Sequence, residues 1–151
     1  MKKFRFSLRS VATVRSIREL RGREQFSLAV RSYVMAEEHL QMLRGRLAAL
    51  EEVLRSGRGR TFRAGDEASF LDAYKAETTA ATKASAEVDK ARAAMEAARQ
   101  AWLGSRRDLK VVESLEQKAR SNHRREVERE DQAALDDRTS ALSARSAAQG
   151  I

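Results

Sequence analysis

The sequence predicts an all-α fold, a long antiparallel two-helix coiled-coil hairpin with an unpaired C-terminal helical extension. The 151 residues include no proline, and three of the seven glycines fall within residues 57–65, so long uninterrupted helices are allowed. Charged residues make up 34% of the chain and aromatic residues 5%, which is too polar a composition for a globular core. On both sides of the glycine cluster, apolar residues recur at alternating spacings of three and four.

The first helix is expected over about residues 5–55 of a single elongated domain, residues 1–151. Its second half carries a heptad seam of roughly four heptads. The seam residues are Phe26, Ala29, Tyr33, Ala36, Leu40, Leu43, Leu47, Leu50 and Leu54. Upstream, apolar residues step by threes from Leu8 to Leu20, so that stripe drifts around the helix and we expect a phase break near Gly22.

A hairpin loop is expected at residues 56–65, because a glycine follows the periodic run and Asp66 can cap a new helix. The second helix is expected over about residues 66–140, with a frayed Ser- and Ala-rich tail at 141–151. Its seam residues are Phe70, Tyr74, Ala81, Ala84, Val88, Ala91, Met95, Ala98, Trp102, Leu109 and Val112.

Folding the chain about residue 60 places large residues of one helix opposite small residues of the other. Leu40 is expected near Ala81. Further from the loop, Tyr33 is expected near Val88, Phe26 near Met95 and Leu20 near Trp102. Beyond Leu115 no first-helix residues remain, so we expect an overhanging helix laced with charges.

The net charge of +8 is concentrated in two zones. Residues 1–23 hold eight Lys or Arg against Glu19 alone, and residues 55–63 hold four Arg and no acid. Such zones attract acidic partners or anionic surfaces, or they are simply solvated faces. The basic start, with Phe4 and Phe6, is compatible with lying on an anionic membrane and equally with ring packing against Leu115 at the open end of the hairpin.

The residues indicate a binding protein and not an enzyme. Without cysteine there is no disulfide or thiolate metal site, and His39 and His123 stand too far apart to share a metal. Neighbouring carboxylates point to different helix faces, so no catalytic pair and no cofactor is expected. The Arg–Gly loop lacks a phosphate-loop pattern, and Phe62 alone is too little aromatic surface for nucleic acid, which is not expected as a partner.

Compartment is indicated by what the chain lacks. No apolar run is long enough to span a bilayer and no secretory signal is present, so we expect a cytoplasmic protein. The Arg-rich, acid-poor start is also similar to an organellar transit peptide.

Four stretches of the chain together resemble the FliJ family of flagellar export proteins. They are FRFSLRSVATVRSIRE, VMAEEHLQMLRGRLAALE, AWLGSRRDLKVVESLEQKAR and REVEREDQAALDD, in that order. The resemblance covers nearly the whole chain. It implies a coiled-coil stalk of the bacterial flagellar type III export apparatus, monomeric when free, that binds and stimulates the export ATPase ring. It also implies binding to the export-gate membrane protein and to export chaperones, at the cytoplasmic face of the cell membrane.

The resemblance and the charge pattern each suggest contact residues. By position, the family's export-gate contacts fall on His39, Leu43, Arg46, Leu50, Phe70, Tyr74 and Ala80. This chain departs from the family at Arg46 and Leu50, where aromatic residues are expected. For the ATPase ring we expect the basic residues of the open end, Arg5, Arg9, Arg15, Arg18, Arg106, Arg107 and Lys110.

Three other functions remain open from the residues. One is the equivalent stalk of a virulence type III secretion system, and another is a basic coiled-coil adaptor at a membrane surface. The third is a self-associating coiled coil with parallel chains.

Overall fold

Two helices make up the fold. The computed structural model describes residues 3–57 and 64–150, in which α1 spans Arg9–Gly57 and α2 spans Ala64–Gln149, with no strand in either range. Glu19, near the start of α1, contacts Trp102, whereas Glu51, near the end of α1, contacts Tyr74, near the start of α2. The helices are therefore antiparallel, and their apolar seams pack against each other. The predicted all-α hairpin is confirmed.

The helix ends differ from those expected. α1 begins at Arg9 and residues 3–6 are not helical. The first turn of α1 holds no acidic residue, so no side-chain charge offsets the helix dipole at this end. At the other end, residues 141–149 are helical where fraying was expected, because alanine is the best helix former and recurs there. Residues 58–63 of the expected loop, with Phe62, lie outside the described residues.

Contacts within the chain define two compact units. Unit 1 contains the residues up to Arg18 and those from Arg106 onward, and unit 2 is Glu19–Ser105. Each unit contains a segment of α1 packed on a segment of α2.

The core of unit 2 lies where leucines of α1 meet small residues of α2. Leu40, Leu43, Ala84 and Val88 are buried together. Tyr33, Ala36, Ala80 and Ala81 pack against them. Full burial of one leucine stabilises the fold by about 1.5–3 kcal/mol, so this short stretch is the main apolar contribution within the unit. The predicted large-on-small seam is confirmed here.

Toward the other end of unit 2, the pairing is offset from the one predicted. Trp102 stacks on Phe26 and lies against Gly22, whereas Leu20, its predicted partner, remains 44% exposed. Glu19, Gly22 and Phe26 are all half-buried at spacings of three and four, so the heptad seam continues through this region. The predicted phase break at Gly22 is wrong, because this glycine lies on the seam and leaves room for the indole.

In unit 1, the pairing extends beyond the predicted limit at Leu115. Val112 is fully buried, and half-buried residues continue along the same stripe of α2 at Glu116, Ala119, His123 and Val127. Part of the reason is that Phe4, in the non-helical N-terminal segment, lies against His123. The exposed extension therefore begins later, and residues 128–150 are exposed throughout.

Candidate partner-binding surfaces

Trp102 fixes the helix pairing and is not free to bind a partner. Its ring lies 5.6 Å from the Phe26 ring at an interplanar angle of 10°, and its indole Nε1 donates a hydrogen bond to Glu19 Oε1 at 2.9 Å. A Cβ on Gly22 would lie 3.2 Å from the Trp102 Cα. The prediction that Trp102 belongs to the hairpin seam is confirmed.

The seven basic residues predicted for the ATPase ring all belong to unit 1. Those in α1 and the N-terminal segment are Arg5, Arg9, Arg15 and Arg18, and those in α2 are Arg106, Arg107 and Lys110. All are exposed except Arg15, which is half-buried. Arg15 Nη1 donates a hydrogen bond to the carbonyl oxygen of Asp108 at 2.9 Å and so holds the two basic segments beside each other. Cations at this density attract acidic partners at short range.

The seven residues suggested for the export gate all belong to unit 2, and most of them face inward. Leu43 is 4% exposed and part of the core, and Ala80 packs against that core. Leu50, Phe70 and Tyr74 are half-buried. Only His39 and Arg46 are exposed, so they are the members of this set that a partner can reach while the hairpin is intact.

Two polar contacts cross between the helices near these residues. Arg46 Nη1 lies 3.8 Å from Glu77 Oε1, and the Tyr74 hydroxyl donates to Glu51 Oε1 at 3.2 Å. The Arg46 side chain is more than half exposed, and an ion pair of this kind contributes about 0–1 kcal/mol. Arg46 therefore stays available for another acidic group at little cost.

Tyr33 organises a second polar group in unit 2. Its hydroxyl donates to Glu37 Oε1 at 2.5 Å, and the Arg92 guanidinium lies 5.7 Å from its ring centroid. The hydrogen bond with Tyr33, with the nearby charges of that tyrosine, Asp89 and Glu37, raises the pKa of Arg92 above its ordinary value. Arg92, permanently charged like other arginines, lies over an aromatic ring of the other helix.

The N-terminal segment is attached to α2 through Phe4. The Phe4 ring lies 5.6 Å from the His123 ring, tilted by 47°, and the Arg120 guanidinium lies 5.6 Å from the Phe4 centroid. Ring packing at the open end was one of two predictions for this residue. The packing occurs with His123 and Arg120, whereas Leu115, the residue considered in the sequence, remains exposed.

Several exposed aliphatic residues of unit 1 were not predicted as surface features. They are Val11, Val14 and Ile17 of α1 and Val111 and Leu115 of α2. The three-residue steps upstream of Gly22 were a signal, since a row that drifts off the seam must end on the surface. In the sequence alone these steps were interpreted as a change of packing.

Neither a metal centre nor a bilayer-spanning helix was found in the part of the chain that the structure describes. Within residues 3–57 and 64–150, no three His, Asp or Glu side chains come together as a metal site would require. Over the same ranges, neither helix combines the length and apolarity needed to cross a bilayer.

The fold and these surfaces define the class of the protein, which is a helical hairpin with exposed charged and apolar side chains. Comparison with family models identifies the family within that class. Residues 4–148 match the model described as the flagellar FliJ protein, and because the match covers nearly the whole chain, the chain belongs to that family. Searches of curated proteins and of solved structures gave no match. Members of the family are non-catalytic components of bacterial flagellar protein export, so this chain is a flagellar export component.

Proposed function

We propose that this protein binds and stimulates the ring of the flagellar export ATPase and links that ring to the membrane export gate. The observation that carries the proposal is the concentration of basic residues in unit 1, where the Arg15–Asp108 hydrogen bond holds cations of both helices together. Screened charge attraction lets a partner hold this surface without tight packing. Family membership supports the same assignment.

The ATPase contact is tested by adding the full chain to the cognate export ATPase and measuring both ATP hydrolysis and oligomer size. The Arg18→Glu and Lys110→Glu double variant should lose most of the stimulation, because both side chains are exposed members of the basic group. Arg145→Glu, an equally exposed reversal in the C-terminal part of α2, is the matched control. Unaltered stimulation by the double variant would refute the assignment of this surface.

We place the gate contact on unit 2, with His39 and Arg46 as the exposed contact residues. Leu43, Leu50, Phe70, Tyr74 and Ala80 position them through the hairpin seam. The test is binding of the full chain to the cytoplasmic domain of the gate protein, measured by calorimetry. The His39→Ala and Arg46→Ala double variant should bind more weakly, while Arg31→Ala, also exposed on α1, should bind normally. Equal binding by all three proteins would contradict this placement.

Escort of export chaperones and peripheral association with the cytoplasmic face of the membrane complete the proposal. Both are proposed from the family membership of the chain. The flagellar family match favours this system over a virulence secretion system. Pull-down of individual export chaperones by the full chain, and its distribution between cytosol and membrane fractions, would test these two points.

A further inference from the structure

Unit 1 has one edge that is apolar and open to solvent. We define the apolar edge as four residues, Val11 and Val14 of α1 and Val111 and Leu115 of α2. All four side chains are exposed, up to 55% at Val111. Single exposed aliphatic residues are ordinary, but a group from two packed helices is typical of a binding surface.

One hydrogen bond places these residues on the same edge. Asp108, Val111 and Leu115 follow each other on α2 at steps of three and four, so they form one stripe of that helix. On α1, Val11 lies about one turn before Arg15, and Val14 directly precedes Arg15. Because Arg15 Nη1 reaches the Asp108 carbonyl at 2.9 Å, the two stripes are adjacent.

The apolar edge is bordered mainly by positive charge. Arg18 follows Val14 by four residues, Lys118 follows Leu115 by three, and Arg107 precedes Val111 by four, so each lies one turn from an edge residue. Arg15, one turn after Val11, is half-buried and bonded to the Asp108 carbonyl, so the exposed charges one turn from the edge are three cations and the single anion Asp108.

The opposite edge of unit 1 has a different character. It is lined by Glu113, Glu116, Gln117 and Arg120, and Arg120 pairs with Glu116 at 2.6 Å. These four residues are two glutamates, one glutamine and one arginine, so the acids outnumber the bases and none of the four is aliphatic. The two edges of unit 1 are therefore chemically distinct, and one of them is suited to an apolar partner.

We propose that the apolar edge binds an amphipathic helix of a partner protein whose apolar stripe is flanked by Asp or Glu. Two packed helices lie about 8–10 Å apart, and the groove between their side chains accepts a third helix. The bordering cations Arg18, Arg107 and Lys118 select acidic flanks on that helix.

The same observations disfavour two other occupants. A second copy of this chain would bring like cations together, and a bilayer surface is usually met by aromatic anchors, which this edge lacks. The apolar edge shares Arg18 and Arg107 with the basic group proposed for the ATPase ring, but its aliphatic residues are not part of that group. The inference goes beyond the proposed function because it assigns these aliphatic residues a partner.

The test uses the full-length chain and two synthetic helical peptides of three heptads, with leucine at the a and d positions. One peptide carries glutamate at e and g and the other carries lysine. Fluorescence anisotropy should show the acidic peptide bound at least roughly tenfold more tightly, a difference of about 1.4 kcal/mol. Added salt should weaken that binding, because the flanking charges are exposed.

Two variants locate the binding site. Val111→Glu and, separately, Val14→Glu should each weaken acidic-peptide binding by roughly tenfold, because each removes apolar contact and adds a like charge. Leu135→Glu is the matched control, since Leu135 is 56% exposed on the same helix and lies outside the apolar edge. Circular dichroism should show that all three keep the helical content of the parent, as expected for exposed positions.

Equal affinity of the chain for the two peptides would overturn the proposal, as would a Leu135→Glu variant that binds the acidic peptide as weakly as Val111→Glu does. If no peptide binds but the chain binds phosphatidylglycerol vesicles, and Val111→Glu abolishes that binding, the occupant is a membrane. If sedimentation shows a concentration-dependent dimer that Val111→Glu dissociates, the occupant is a second copy of this chain.

Discussion

Gly22 of α1 and Trp102 of α2 approach each other so closely that a side chain on the glycine would press against the tryptophan. A Cβ on Gly22 would meet the Trp102 Cα at 3.2 Å, which is tighter than ordinary contact, and the Trp102 Cβ and Cδ1 at 3.5 Å, which is ordinary contact. A glycine inside a helix costs about 1 kcal/mol relative to alanine. Gly22 is nevertheless suited to its position, because the absence of a side chain leaves room for Trp102 to pack against it.

Gly45 provides the comparison, because a Cβ there has nothing within 4 Å. Gly45→Ala should therefore stabilise the protein by about 1 kcal/mol, the full difference in helix propensity. Gly22→Ala should gain less or lose stability, and Gly22→Leu should lose about 1–3 kcal/mol through overpacking. Urea unfolding followed by circular dichroism at 222 nm measures all three. Equal stabilisation by both alanine variants would show that the approach at Trp102 is not tight.

The burial of Leu43 predicts a large effect of its truncation. Leu43→Ala should lower the free energy of unfolding by about 2–5 kcal/mol, because the leucine is packed among Leu40, Ala84 and Val88. Leu28→Ala on the same helix should change it by less than about 0.5 kcal/mol, since Leu28 is well exposed. The measurement is again denaturant unfolding. A mild Leu43→Ala variant would indicate that the seam of unit 2 is misplaced.

The seam and its pairing around Leu40 could be predicted from the sequence, but the pairing toward Trp102 could not. Leu40 and Leu43 stand out by spacing and size, so their burial follows from periodicity alone. The seam residues of α2 opposite them are mostly alanine. If one helix is shifted along the other by one turn, each leucine meets nearly the same surface, so this part of the sequence alone does not fix the register of the two helices. Trp102, the largest side chain of the seam, lies against Gly22, and this steric match becomes evident in three dimensions.

The candidate sites divide in the same way. The basic residues of unit 1 could be predicted because charge clusters are visible in the sequence. Leu43 was transferred to the gate contact by position, although its seam spacing already favoured burial. The apolar edge could not be predicted, because the pairing of Val11 with the stripe of Leu115 depends on the Arg15–Asp108 contact.

The indole hydrogen bond to Glu19 predicts a pairwise energy. Trp102→Phe keeps ring stacking on Phe26 but removes the N–H donor, so about 1 kcal/mol of stability should be lost beyond the change in ring size. Glu19→Ala should cost a similar amount. The double variant should cost less than the sum, and this coupling, measured by denaturant unfolding, isolates the hydrogen bond. Strict additivity would show that the two side chains do not interact in solution.

The contact between Phe4 and His123 can be observed directly, since the chain has two histidines and only one touches an aromatic ring among the described residues. The Phe4 ring current should shift the imidazole proton resonances of His123, and Phe4→Leu should return them toward the positions of an exposed histidine. His39, which is exposed on α1, serves as the internal control and should not move. The contact with Arg120 adds a cation–π attraction of about 0.5–1 kcal/mol, so Phe4→Leu should lower the free energy of unfolding only slightly.

If the His123 resonances are the same in the parent and Phe4→Leu, the N-terminal segment does not lie on α2 in solution. A shift at His123 with little change in unfolding would instead place residues 3–6 on α2 as a locally stabilised segment that can open without unfolding the hairpin.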